Sequence, residues 1–200
     1  MTLADATASL TGGVALIERA LAYTLGGLML VTPDAMSNRT PCRDWDLRSL
    51  LLHMNDSLRA LDEAVTLNRV GLDPDDRDTA GDYGDPGIDP VASLRARGCR
   101  MIGTWANARE PGDVSIADRS LSASIVAATG AVEVAVHGWD LARACGQHRP
   151  IPPALAEELL DLAPLLVGAA DRASRFADPV DVSLSAGPSE RLLAYLGRRT

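Results

Sequence analysis

Apolar residues recur along this chain mostly with the 3.6-residue period of helices. In residues 6–30 they fall at Leu10, Val14, Ile17, Leu21, Leu25 and Leu28, which predicts a first helix whose ends are loosened by Gly12, Gly13, Gly26 and Gly27. Pro33 and Pro41, with Asn38 between them, predict an ordered loop over 32–42. A second helix follows, capped by Asp44 or a neighbour, with Trp45 and Asp46 in its first turn and a stripe of Leu47, Leu50, Leu51, Met54, Leu58, Leu61 and Val65. A third helix over 91–108 is marked by Leu94, Met101, Ile102 and Trp105, and a fourth over 120–145 is closed by Gly146 and then Pro150. A fifth helix over 154–167 starts after Pro152 and Pro153 and carries Pro164 as a kink. Residues 190–196 predict a short last helix, and 179–184 alternate enough for a short strand or extended segment.

At 200 residues the chain is the size of one domain with a sizeable core. No apolar run reaches the roughly eighteen residues a membrane span needs, and the best stretch, 20–31, is broken by Gly26 and Gly27. Thr2 and Asp5 stand where a signal peptide needs basic residues, so a cytoplasmic protein is expected. Cys42, Cys99 and Cys145 lack zinc-like spacing and are expected to be reduced thiols. With 27 acidic against 19 basic residues the net charge is −8, which disfavours nucleic acid and anionic lipid as partners. All 19 basic residues are arginines, so lysine Schiff-base chemistry is excluded. Residues 71–90 hold seven aspartates among glycines and prolines and predict a solvated loop. Its DPDDRD run lacks the glycine and terminal glutamate of an EF-hand, so no calcium site is expected there.

The chemistry concentrates in AVEVAVHGWDLARAC, residues 131–145. Glu133 and His137 are four apart, so on a helix both project from one face and can converge on one ion. A carboxylate at mid-helix among small residues is costly to bury unless it is paired or bound to a metal. The third candidate ligand is His53, on the margin of the second helix's stripe, beside Ser57, Ala60 and Ala64. Two histidines and a carboxylate leave coordination positions over, as catalytic rather than structural zinc sites do. Without the metal, Glu133 and His137 form an ordinary helical i, i+4 pair. Thr129 could offer Glu133 a hydroxyl or return it to the preceding turn. Asp140 is a candidate second partner, accepting from an imidazole N–H or pairing with an arginine. Cys42, just before a helix start, is read as structural rather than nucleophilic, His148 as solvated, and Trp45 and Trp139 as packing anchors. No Ser-His-Asp arrangement, phosphate loop or dinucleotide fingerprint is present.

Two of these stretches resemble a known family. TPCRDWDLRSLLLH, residues 40–53, is similar to the first signature of the mycothiol-dependent maleylpyruvate isomerase N-terminal domain, within the DinB-like superfamily. EVAVHGWDLARACG, residues 133–146, resembles its second signature, and the tail RFADPVDVS…ERLLAYLGR resembles the ends of its short members. The resemblance implies an all-α fold, an antiparallel four-helix bundle with a short extra C-terminal segment, forming a single domain over 1–200. It implies a divalent metal, zinc or in some relatives nickel, held by His53, Glu133 and His137, with mycothiol as co-substrate. The full-length isomerase carries a further C-terminal domain that supplies a catalytic arginine, and this chain has room for only part of it. Arg143, Arg172 and Arg175 stand as substitutes with no motif behind them. The reaction expected is thiol-dependent isomerisation or S-transfer on a small electrophilic molecule; metal-activated water for hydrolysis and a non-catalytic binding scaffold are the alternatives. The partner expected is a small-molecule substrate, with no nucleic acid or membrane, and a homodimer is admitted.

Overall fold

The apolar stripes become helices in the computed structural model, which describes residues 12–42, 45–71, 89–107, 113–116, 119–168, 172 and 176–200. The start of the expected first helix, most of the aspartate-rich loop, Asp44 and Arg175 lie outside the described residues. Helix α1 (Gly13–Gly27) runs into a 3-10 turn, Leu28–Leu30, and a second 3-10 turn, Pro33–Ser37, lies inside the expected loop. Helix α2 (Leu47–Leu67) is followed by α3 (Pro90–Asn107), α4 (Ala123–Ala144), α5 (Pro153–Leu166) and α6 (Pro188–Tyr195). The described residues are mostly helical, with one small sheet.

Asp46, expected in the first turn of α2, is itself the N-cap: its backbone is extended and its carboxylate accepts from Ser49 N–H at 2.8 Å. The loop is tied to that cap by Leu47 N–H donating to Asn38 O at 2.9 Å. At the far end of α2, Asn68 takes the left-handed conformation, φ 51°.

Two expectations for extended structure are corrected. The fourth helix starts at Ala123 rather than near 120, because Ser122 caps it and residues Arg119–Ser122 form a strand. That strand, β3, pairs antiparallel with β2 (Asp113–Ile116), which pairs in parallel with β1 (Arg69–Val70). Strands of two and four residues are too short to print an alternating pattern, and within β2 and β3 only Val114 is fully buried. Of the two readings of 179–184, a short strand or an extended segment, the strand does not form; Val180 N–H donates to Ala194 O at the end of α6.

The core draws Ile17 and Leu21 from α1, Leu50 and Leu51 from α2, Leu94 and Trp105 from α3 and Leu141 from α4. Helix α4 is buried almost all round, with Val126, Ala128, Val132, Ala135 and Trp139 inside on different faces. It can lie close to α1 because its contact residues are small. A side chain at Gly138 would land on the Thr24 hydroxyl, which donates to Val134 O at 2.8 Å. One at Gly130 would come within 2.6 Å of Leu61.

The segment Gly13–Leu30 is long and apolar enough by composition to cross a membrane, despite its internal glycines, but half of it is buried inside the protein. Packed against α4, it behaves as a core helix.

The Asp46 cap gives a prediction. Its carboxyl is held below the usual range by the Ser49 hydrogen bonds, so its stabilising effect is present above the unfolded carboxyl pKa and fades as pH falls through the lower folded value. Asp46→Ala is expected to cost about 1 kcal/mol at pH 7 in urea unfolding. The gap between wild type and variant should shrink in acid.

Candidate metal centre

Helices α2 and α4 bring His53, Glu133 and His137 to one place, with one ligand atom from each lying within 4.8 Å of the others. Glu133 Oε1 is 2.9 Å from His53 Nε2 and accepts from Ser57 Oγ at 2.7 Å. The His53 and His137 rings meet edge to face with centroids 5.1 Å apart. Trp45 closes one side, its ring 4.6 Å from that of His53 and 6.2 Å from that of His137. His53 and Glu133 keep 34% and 37% of their side chains exposed, so the group is reached from solvent. It adjoins a small apolar recess lined by Leu21, Met54, Leu58 and Val134.

Behind this group stands a second one that shares His137. Asp140, fully buried, places Oδ2 3.0 Å from His137 Nδ1. The same oxygen accepts from the Cys42 thiol at 3.2 Å and from Arg198 Nη2 at 3.1 Å. Arg198 Nη2 also lies 3.4 Å from Cys42 Sγ. A carboxylate only accepts, so His137 Nδ1 donates to it, and Nε2 of the neutral ring is the nitrogen left for the group with His53 and Glu133.

The charge states follow from these contacts. Burial alone would raise the pKa of Glu133, but the His53 hydrogen bond, the charge of His137 and the Ser57 hydroxyl outweigh it and hold the carboxyl at about 2. Asp140 follows the same pattern: burial pushes up, while the His137 bond and the Arg198 charge pull the carboxyl below its usual range. Burial first, and then the Asp140 charge, push the Cys42 thiol up to about 12, with Arg198 offsetting only part. Arg198 is desolvated, but Asp140 beside it keeps the guanidinium charged.

Both groups hold three side chains of metal-ligating type. They differ in what already neutralises them. Cys42, His137 and Asp140 have the Arg198 guanidinium on them, which repels a second cation, and their thiol is protonated. Among the described residues no guanidinium touches His53, Glu133 or His137, which could supply two nitrogens and a carboxylate, the donor set of an open zinc site.

Each residue singled out from the sequence has a place. The hydroxyl on Glu133 comes from Ser57 rather than Thr129, which donates to Ile125 O at 2.9 Å. Asp140 both accepts from an imidazole and pairs with an arginine. Cys42 is a structural thiol and His148 is exposed. Trp139 is a packing anchor, whereas Trp45 is a wall of the site. Of the candidate arginines, Arg143 lies exposed at the end of α4 and Arg172 donates to Ala177 O and Tyr195 O. Among the described residues the arginine that reaches Asp140 and Cys42 is Arg198, which the sequence reading does not single out although it sits in the tail motif.

A mostly helical domain with a partly buried His-Glu-His group backed by a buried carboxylate defines a class of candidate metal proteins. Its family follows from comparison: residues 17–142 match the model of the mycothiol maleylpyruvate isomerase N-terminal domain, and the chain belongs to that family. Uncharacterized proteins from two strains of Mycobacterium tuberculosis are each 28% identical over 181 residues, covering 84% of this chain and 87% of their own length. No solved structure matches.

The Cys42 thiol gives a prediction. Alkylation of the native protein at pH 8 should modify exposed Cys99 and spare Cys42, because the Cys42 thiolate forms only near pH 12. Mass spectrometry of the peptides reads the outcome. Rapid modification of Cys42 at pH 8 would contradict the protonated, hydrogen-bonded thiol described here.

Proposed function

We propose that this protein is a divalent-metal-dependent enzyme that uses a small thiol, mycothiol, either to isomerise a small electrophilic molecule or to join the thiol sulfur to it in S-transfer. The observation that carries the reading is the convergence of His53, Glu133 and His137 at a solvent-reached point in a chain of the mycothiol maleylpyruvate isomerase family. In this reading α1 to α4 are the family's antiparallel four-helix bundle, α5 and α6 are the C-terminal addition, and the reaction is cytoplasmic.

The donor set fits zinc, as two imidazoles and one carboxylate leave a coordination position for a substrate atom. Zinc so held supplies a lowered pKa for a coordinating thiol, keeping it as the nucleophilic thiolate. The chain's own residues prepare the site. Glu133, ionised above about pH 2, brings a full negative charge at any physiological pH. Ser57 donates to it, and the His53 Nε2–H that donates to Glu133 marks the proton a bound metal would displace. His137 presents Nε2 because Asp140 takes Nδ1. Trp45 shields one side of the group. A nickel ion would use the same donors.

Two measurements test this. The purified protein should carry about one divalent ion per chain, and His53→Ala or Glu133→Ala should lower that content at least tenfold by elemental analysis. Mycothiol should raise the melting temperature of the metal-loaded protein. An ion without any thiol effect would favour water activation for hydrolysis, and no ion after zinc supplementation would sink the metal reading.

A further inference from the structure

Arg198 reaches the site from outside the four long helices, and the chain is built to put it there. Helix α6 ends in a Schellman turn: Gly197 takes φ 80°, its N–H donates to Ala194 O at 3.0 Å, and Arg198 N–H donates to Leu193 O at 2.8 Å. A Cβ at Gly197 would stand 2.6 Å from the Ala177 side chain, so the turn is seated against the preceding strand of chain as well as reversed. The turn sends the Arg198 side chain inward, where it is 10% exposed.

One guanidinium nitrogen then touches both Asp140 Oδ2 and Cys42 Sγ, while Nη1 donates to Leu196 O at 2.9 Å. Asp140 Oδ2 therefore collects an imidazole, a thiol and a guanidinium, whereas Asp140 Oδ1 and Arg198 Nε are buried without a hydrogen-bond partner. The carboxylate is fully buried, so its position is set by the cation that compensates it. Removing that cation leaves a buried carboxylate uncompensated, and the bond that orients His137 loses its anchor.

We propose that Arg198 is a positioning residue for the metal centre, acting through Asp140 to hold His137 with Nδ1–H turned inward and Nε2 presented to the group with His53 and Glu133. The inference rests on the metal-centre reading above, and its test separates the two. In metal-free protein, nitrogen-15 NMR should find His137 as the Nδ1–H tautomer, and Arg198→Ala should mix the tautomers while leaving the circular dichroism of the helices unchanged. Cobalt(II), used as a spectroscopic probe, should bind Arg198→Ala about 10- to 100-fold more weakly than wild type, with a shifted visible spectrum. In an Asp140→Asn background the same change should cost less than about twofold, since the route through Asp140 is already cut. Arg198→Lys keeps the charge but loses the fork, so it should recover part of the affinity, and it decides the matter if the alanine variant does not fold.

An Arg198→Ala or Arg198→Lys protein with wild-type tautomer and wild-type cobalt affinity would overturn the inference and leave the metal reading standing. Additive losses in the double variant would also overturn it, because they would assign Arg198 a route other than Asp140. Wild-type protein that takes up no cobalt would sink both.

Discussion

Helix α4 is buried on nearly every face, and yet it carries Glu133, His137 and Asp140. Charges on such a helix persist only where other parts of the chain bring partners to them. The arrangement of the polar site follows from that demand. Helix α2 supplies His53 and Ser57 to Glu133, the loop before it supplies Cys42, and the turn after α6 supplies Arg198 to Asp140. The glycines and alanines of α4 belong to the same constraint, since they let α1 settle against it while its polar residues face elsewhere.

The result is two layers joined by one ring. The outer layer is partly exposed and anionic at Glu133; the inner one is centred on buried Asp140 and compensated by Arg198. His137 takes part in both, and the bond at Nδ1 determines which nitrogen the outer layer receives. The matched family region, residues 17–142, includes both histidines, Glu133, Asp140 and Cys42. Arg198 lies beyond it, so buried Asp140 is paired by a residue outside the matched region.

The sequence was most informative where a pattern repeats and least where a contact is singular. The stripes of Leu50, Leu51, Met54 and Leu58, and of Leu155, Leu159 and Leu162, are long enough to place α2 and α5 to within a residue or two. The spacing of Glu133 and His137, with His53 on a second helix, was enough to anticipate the outer layer. The strands Asp113–Ile116 and Arg119–Ser122 leave no mark in the sequence because they are too short to carry a period. Ser57 was noted only as a small neighbour of His53, since nothing local reveals that its hydroxyl points across to α4. Arg198 could not be placed by periodicity at all; its position depends on the left-handed Gly197 and on a contact made 58 residues from Asp140 in sequence. The useful signal there was a glycine followed by arginine just past a short helix.

Trp45 has an optical consequence. Trp105 and Trp139 lie deep in the core, while the half-buried indole of Trp45 rests against the His53 ring and near that of His137. Its emission is therefore sensitive to whatever happens at those two imidazoles, through contact quenching and local polarity. The protein contains its own fluorophore at the mouth of the site, and occupancy can be followed by titration in solution without attaching a dye.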